Sequence, residues 1–332
     1  MALRAPHARV EIFHSSCSWK VRTPSRSFIC SRRDFNTSAE PTEASIADPT
    51  GYCRDLVRKY DYEGFLVSQF YPGDLRGGYF ALKAFSVELA MVQDHVSNQM
   101  IGKMRMQFWR DAVKGIGEGK PPRHPIALAL HEYSQRSNIP AYHLKRIVDA
   151  RDHELHTPTH LTTDSLTAHA ESTSSTMFYL LLSLLSLPSS ALSHAASHLG
   201  AAQTFVTLLR GLPFHAKSGR MIIPAEITAK HGVSQEDVFR HGPRAQGIED
   251  AVFEFATLAN DHLLTARDML NQERMGGKVP TRAMPVFLAG IPIASFLGRL
   301  EKANFDVFTP DLQLRDWKLP WQIWRGYYKK QF

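Results

Sequence analysis

Only three of the 332 residues are cysteine: Cys17, Cys30 and Cys53. Two of them fall in the first 38 positions, so a chain trimmed of that segment can build neither a disulfide framework nor a cysteine metal site. Acidic residues are scarce at the same end, where Glu11 and Asp34 stand against Arg4, Arg9, Lys20, Arg22, Arg26, Arg32 and Arg33. No uninterrupted apolar stretch of the kind a secretory signal requires occurs there. The longest apolar runs, Met177 to Leu187 and Ala283 to Gly298, fall short of the ~20 residues of a membrane-spanning helix, and Pro285 and Pro292 interrupt the second. Strand signals are nearly missing from the whole chain.

The segment 1–38 is basic, acid-poor and rich in serine, the composition of a mitochondrial transit peptide. Arg32-Arg33-Asp34-Phe35 followed by Asn36-Thr37-Ser38 resembles a matrix-protease cleavage context, which puts the expected cut near residues 35 to 39. Seven of the 39 basic residues and two of the 32 acidic ones lie in this segment, so the remainder carries 32 against 30. The formal charge of +7 thus falls to +2, which gives no ground for a nucleic-acid partner.

Residues 39–51, with Pro41, Pro49 and small polar side chains, are expected to be a linker into a domain spanning 52–332. That length can bury one large core. Between Tyr79 and Val96 the apolar residues Leu82, Phe85, Leu89, Val92 and Val96 recur at three- and four-residue steps, the period of one helix face. Similar patterns run through Met100 to Val113, Ile126 to Tyr133, Tyr142 to Leu155, Leu166 to Leu187, Ala191 to Leu212, Ile248 to Leu270 and Val286 to Leu300. Breaks are expected from Gly115 to Pro122, at Pro158, at Pro188 and at Gly276-Gly277. The fold class these patterns predict is all-α.

Two stretches carry a family resemblance. The first runs from Tyr79-Phe80-Ala81-Leu82-Lys83-Ala84-Phe85 to Lys103-Met104-Arg105-Met106-Gln107-Phe108-Trp109-Arg110-Asp111. The second holds Leu209-Arg210 and then Gly219-Arg220-Met221-Ile222-Ile223-Pro224-Ala225-Glu226, with the small-residue segment Glu171-Ser172-Thr173-Ser174-Ser175 between the two. Together they resemble the squalene/phytoene synthases, helical enzymes that join two prenyl diphosphates. That resemblance implies a single isoprenoid-synthase-like bundle. It also implies two Asp-x-x-x-Asp motifs on facing helices, because carboxylates at i and i+4 share a face and can grip one hard cation.

Placed by the resemblance, the four motif positions are Ala90, Asp94, Gly211 and His215, of which only Asp94 is a carboxylate. Neighbouring acids of the family's motifs fall on Met91 and Phe214, expected to face the ion positions and make a dehydrated cation costly. One carboxylate cannot assemble the metal cluster that stabilises a departing diphosphate. The sequence thus resembles a non-catalytic branch of the family, and His231-Gly232-Val233-Ser234-Gln235-Glu236-Asp237 strengthens that match. This branch implies support of respiratory complex I assembly, no cofactor, no resident metal, and partners among complex I subunits or assembly intermediates. It places the chain on the matrix side of the mitochondrial inner membrane. The competing expectations are a prenyl transferase with a rearranged site at Asp94, Glu88 and His215, and an isoprenoid or lipid carrier.

Arg210, Lys217 and Arg220 are candidates for an anion or a lipid headgroup; the plainer reading pairs Arg210 with an internal acid and leaves the other two solvated. His153, His156, His160 and His169 invite a zinc hypothesis, but no regular ligand frame accompanies them. At the C-terminus Trp317, Trp321 and Trp324 precede Tyr327, Tyr328, Lys329 and Lys330, a composition suited to a membrane interface. Docking of these tryptophans onto the domain's own core is the favoured expectation, with peripheral membrane contact as the alternative. Pro320 breaks or starts their helix.

Overall fold

The computed structural model describes residues 43–96, 98–157, 159–270 and 279–332. The expected transit segment, the linker residues 39–42 and the breaks at Pro158 and Gly276-Gly277 lie outside the described residues. Residues 39–332 form one compact unit. Among the described residues there is no strand. In chain order the helices are α1 (Glu43–Ala47), α2 (Pro49–Tyr60), α3 (Tyr62–Val67), α4 (Arg76–His95), α5 (Gln99–Gly117), α6 (Pro125–Arg136), α7 (Ala141–His156), α8 (Thr163–Ala170) and α9 (Thr176–Leu184). There follow α10 (Ser190–Lys217), α11 (Ala225–Lys230), α12 (Gln235–His241), α13 (Ile248–Leu270), α14 (Met284–Phe287), α15 (Gly290–Lys302), α16 (Pro310–Gln313) and α17 (Leu319–Lys329).

Helix begins inside the stretch expected to be linker. Asp48 accepts from Gly51 N–H at 2.8 Å and caps α2, and Pro49 sits in the first turn, where its missing N–H costs nothing. Asp61 does the same for α3, accepting from Gly64 N–H at 2.9 Å. In α4 the predicted stripe is the buried one: Leu82, Phe85, Leu89 and Val92 are all within 1% of complete burial. α10 and α13 pack along their length through small residues and a stacked Phe205–Phe255 pair with ring centroids 5.2 Å apart.

The small-residue segment Glu171–Ser175 is a π-helical turn between α8 and α9. A Cβ on Gly200 would meet the backbone of Ser175 at 2.5 Å, so glycine is what lets α10 approach this turn. Ser175 Oγ donates to Ser197 O at 2.8 Å, and Thr204 Oγ1 to Ser174 Oγ at 2.8 Å. α10 runs past its expected end, through Pro213 to Lys217.

The residues Met284–Lys302 have the length and mean hydropathy (1.3) of a spanning segment, contrary to the expectation from the shorter run. Yet 61% of that window is buried in the unit, the pattern of a core helix. The C-terminal expectation needs correction too. α17 docks through Leu319 and Ile323, while Trp317, Trp321 and Trp324 are 82%, 64% and 44% exposed. Pro320 lies in its first turn and starts the helix.

Candidate functional site

A cavity of about 370 Å³ opens between α4, α7, α8 and α10. α4 contributes Lys83, Ala90 and Asp94; α10 contributes Gln203, Thr204, Thr207, Arg210 and His215. Ala90 and Asp94 share a wall because they are four residues apart on one helix. Gly211 is absent from the lining, but a Cβ there would meet the His215 ring at 3.1 Å, so its lack of a side chain leaves room for that imidazole.

Arg220 joins the two walls. Its Nη2 donates to His215 Nδ1 at 2.6 Å and reaches Asp94 Oδ1 at 3.5 Å. A local backbone device puts it there. Gly219 takes φ +70°, a left-handed value suited to glycine, and ends α10 with Gly219 N–H on Ala216 O at 3.0 Å and Arg220 N–H on His215 O at 2.9 Å. The Gly-Arg pair of the sequence is therefore a Schellman cap that turns the guanidinium back over the last turn of the helix. A guanidinium only donates, so His215 Nδ1 must accept and the ring is the neutral tautomer with its proton on Nε2. Burial lowers the His215 pKa, and the Arg220 charge lowers it further.

Three further ion pairs complete the lining. Lys83 Nζ lies 2.7 Å from Asp61 Oδ2 with both side chains mostly buried. Burial alone would raise the Asp61 pKa, but the Lys83 charge and hydrogen bond, the Gly64 N–H and Arg210 bring it below the usual value. Arg210 Nη1 lies 3.0 Å from Glu63 Oε1, and Arg151 Nη1 lies 2.7 Å from Glu154 Oε2. Thus Lys83, Arg151, Arg210 and Arg220 face Asp61, Glu63, Asp94 and Glu154 one to one. Asp61, Glu63, Lys83 and Arg210 also border a second, apolar pocket of about 50 Å³ between α3, α9, α10, α14 and α15. That is well below the ~300–1,000 Å³ of a typical small-molecule site.

Several expected positions fall elsewhere. Phe214 is 62% exposed and does not line the cavity, nor does Met91. Each is one residue from a lining position, and one helical residue is about 100° of rotation, so the apolar wall expected at the ion positions is not formed. Lys217 is exposed and does not line the cavity with Arg210 and Arg220. Glu88 lies toward Tyr52, whose pKa burial raises first and the Glu88 charge second, and it does not line the cavity.

The four histidines of the zinc hypothesis separate. His160 and His169 line the cavity with ring centroids 5.2 Å apart, whereas His153 and His156 are exposed and His156 Nδ1 meets Gln99 Nε2 at 2.6 Å. His169, 3.7 Å from Glu154, has its pKa lowered to about 4 by burial, partly offset by the Glu154 charge. Among the described residues no group of three His, Cys, Asp or Glu is arranged to hold a metal ion. Reasoning from sequence overlooked Lys83, Asp61, Glu63, Arg151 and Glu154 as lining residues. The signal for one of them was that Lys83 interrupts an otherwise apolar run of α4.

The segment His231 to Asp237 covers the α11–α12 connection and the first turn of α12. His231 Nε2 meets Glu254 Oε2 at 2.6 Å, and Ser234 caps α12 by accepting from Asp237 N–H at 3.4 Å.

Comparison with known proteins places this geometry. Residues 57–325 match the squalene/phytoene synthase family model. The human protein named "NADH dehydrogenase (ubiquinone) complex I, assembly factor 6" is 38% identical over 281 residues, covering 85% of this chain and 82% of its own. Its Drosophila melanogaster homolog is 34% identical over 309 residues, covering 89% and 90%. A dehydrosqualene synthase crystallised with ligand superposes with a TM-score of 0.73 at 16% identity, over 86% of this chain and 97% of that one, which shows the shared fold. The chain belongs to the squalene/phytoene synthase family.

Proposed function

We propose that this chain is a non-catalytic factor that supports assembly of mitochondrial respiratory complex I, working on the matrix side of the inner membrane. The observation that carries the non-catalytic part is the one-to-one pairing of charges in the cavity. Asp94 is engaged by Arg220, and Ala90 and Gly211 offer no oxygen beside it, so the paired carboxylates that would grip a hard cation are not available. The relatives named for complex I assembly, 34–38% identical over most of both chains, support the assembly part. Its partners on this reading are complex I subunits or assembly intermediates, with peripheral contact to the membrane.

An anionic headgroup entering the cavity would have to displace Glu63 from Arg210 or Asp94 from Arg220. Lys217 is no part of that site. The rearranged enzyme site of Asp94, Glu88 and His215 is not supported, since Glu88 faces away from the cavity. A carrier role predicts co-purified lipid, and organic extraction of the purified protein, with mass analysis, is expected to yield none.

The direct test is a native-gel profile of respiratory complexes from cells lacking the protein, rescued with the wild type or Asp94→Ala. Loss of complex I alone, restored equally by both, is the expected result. Normal complex I in the deficient cells would refute the assembly role, and failure of Asp94→Ala to rescue would point to chemistry at Asp94.

A further inference from the structure

α17 has two apolar faces, and only one of them is used by the fold. Leu319 and Ile323 are buried, Tyr327 packs on Phe70 with ring centroids 4.8 Å apart, and Gly326 lies against Ile291. On the opposite side Trp321, Trp324 and Tyr328 fall within about 60° of arc at 100° per residue, and they are 64%, 44% and 66% exposed. Trp321 stacks on Trp324 at 4.7 Å, and Trp324 meets Tyr328 at 4.8 Å, so the three rings make one continuous strip. Trp317, just before the helix, is 82% exposed, with the Lys318 ammonium 5.4 Å from its ring centre.

The exposed charges of α17 and its N-cap have one sign, while Asp316, before Trp317, is half-buried and accepts from Ser295 Oγ and the Lys318 N–H. Lys318, Arg325 and Lys329 are exposed, and α17 contains no acid. Exposed tryptophan is unfavourable in water unless something covers it. Indole and phenol rings, each with an apolar body and a polar tip, suit the headgroup level of a bilayer, and adjacent cations suit anionic lipid.

We propose that the outer face of α17 docks on an anionic lipid bilayer, lying in the plane of the interface with Trp317, Trp321, Trp324 and Tyr328 inserted and Lys318, Arg325 and Lys329 on the lipid phosphates. This extends the proposed membrane-side location to a named face and lipid chemistry. Vesicle binding is measured without complex I, so its failure and that of the assembly role are separate results.

The test uses the full chain carrying Trp19→Phe, so that fluorescence arises from the C-terminal tryptophans and from Trp109, which is only 2% exposed and out of reach of lipid. Vesicles of phosphatidylcholine with phosphatidylglycerol are compared with phosphatidylcholine alone, each with and without acyl-chain bromination. The expected result is a blue shift and quenching by brominated lipid with the anionic vesicles. Trp321→Ser/Trp324→Ser/Tyr328→Ser should lower the quenching by brominated lipid at least about tenfold, and Lys318→Glu/Arg325→Glu/Lys329→Glu should abolish the excess of quenching with anionic over neutral vesicles, readouts that the basic segment 1–38 does not give. The charge-reversed protein keeps its aromatic strip, so it tests the proposal even if the triple serine variant misfolds. Binding without quenching, as the basic segment 1–38 alone would give, overturns the proposal. So does absence of vesicle binding together with loss, in the serine variant, of co-migration with a mitochondrial protein complex, since the face would then be protein-binding.

Discussion

The cavity and the outer face of α17 are opposites. In the cavity every formal charge has a partner of opposite sign within 3.5 Å, on walls built from helices far apart in the chain. On α17 the aromatic rings touch one another and solvent, and the cations beside them meet no acid from their own helix. Polar groups matched internally serve the fold, because removing one member strands the other. Apolar groups left outside serve something not yet bound. On the proposed reading the cavity serves the fold, and binding belongs to the outer face of α17.

Substitutions should separate the two regions by their effect on stability. Lys83→Ala leaves the Asp61 carboxylate without its 2.7 Å partner in a mostly buried position. A loss of about 3 kcal/mol is expected in urea unfolding. A loss under about 0.5 kcal/mol would mean that water already satisfies Asp61.

Acid should act on the same side of the comparison. Burial holds His169, in the cavity, and His124, edge-on to Trp109, down to about 4. The unfolded chain takes up protons from about pH 6.5, before the folded one does, so stability falls as pH drops from about 6.5 towards 4. Each of these histidines should contribute on the order of 1 kcal/mol per pH unit in that window. A thermal midpoint flat between pH 7 and 5 would contradict their burial as neutral rings.

Arg220→Ala removes the bridge between the walls, with an expected cost of about 1 kcal/mol because Asp94 is 46% exposed. The sharper readout is His215, whose imidazole resonances should titrate at higher pH once the adjacent guanidinium is gone. An unchanged His215 titration would mean that Arg220 does not hold it. At the small end, Trp321→Ser with Trp324→Ser should shift the unfolding free energy by no more than about 0.5 kcal/mol, since neither ring is part of the core. A larger loss would assign the strip to the fold.

Much of this was legible in the sequence, in uneven measure. The α4 stripe was read correctly because a helix of that length buries one face and the period alone marks it. Gly219-Arg220 belongs to the stretch that carries the family resemblance, and its local role follows from the cap geometry. What could not be read is pairing across distance: Arg220 and Asp94 are 126 residues apart, and no local pattern announces that contact. The same limit hid Asp61–Lys83. The resemblance sets Phe214 at an ion position, but consecutive helical residues point about 100° apart, and Phe214 faces solvent beside His215. At α17 the sequence drew attention to the tryptophans, whereas Leu319 and Ile323 are the residues that pack, and only packing decides which face is covered.

On the proposed function the paired cavity performs no metal-assisted diphosphate chemistry. Purified protein incubated with farnesyl or geranylgeranyl diphosphate and magnesium, with released diphosphate measured over time, tests it most directly. No release above the protein-free control is predicted, for the wild type and Asp94→Ala alike. Release by the wild type that Asp94→Ala abolishes would contradict the account and return the cavity to catalysis.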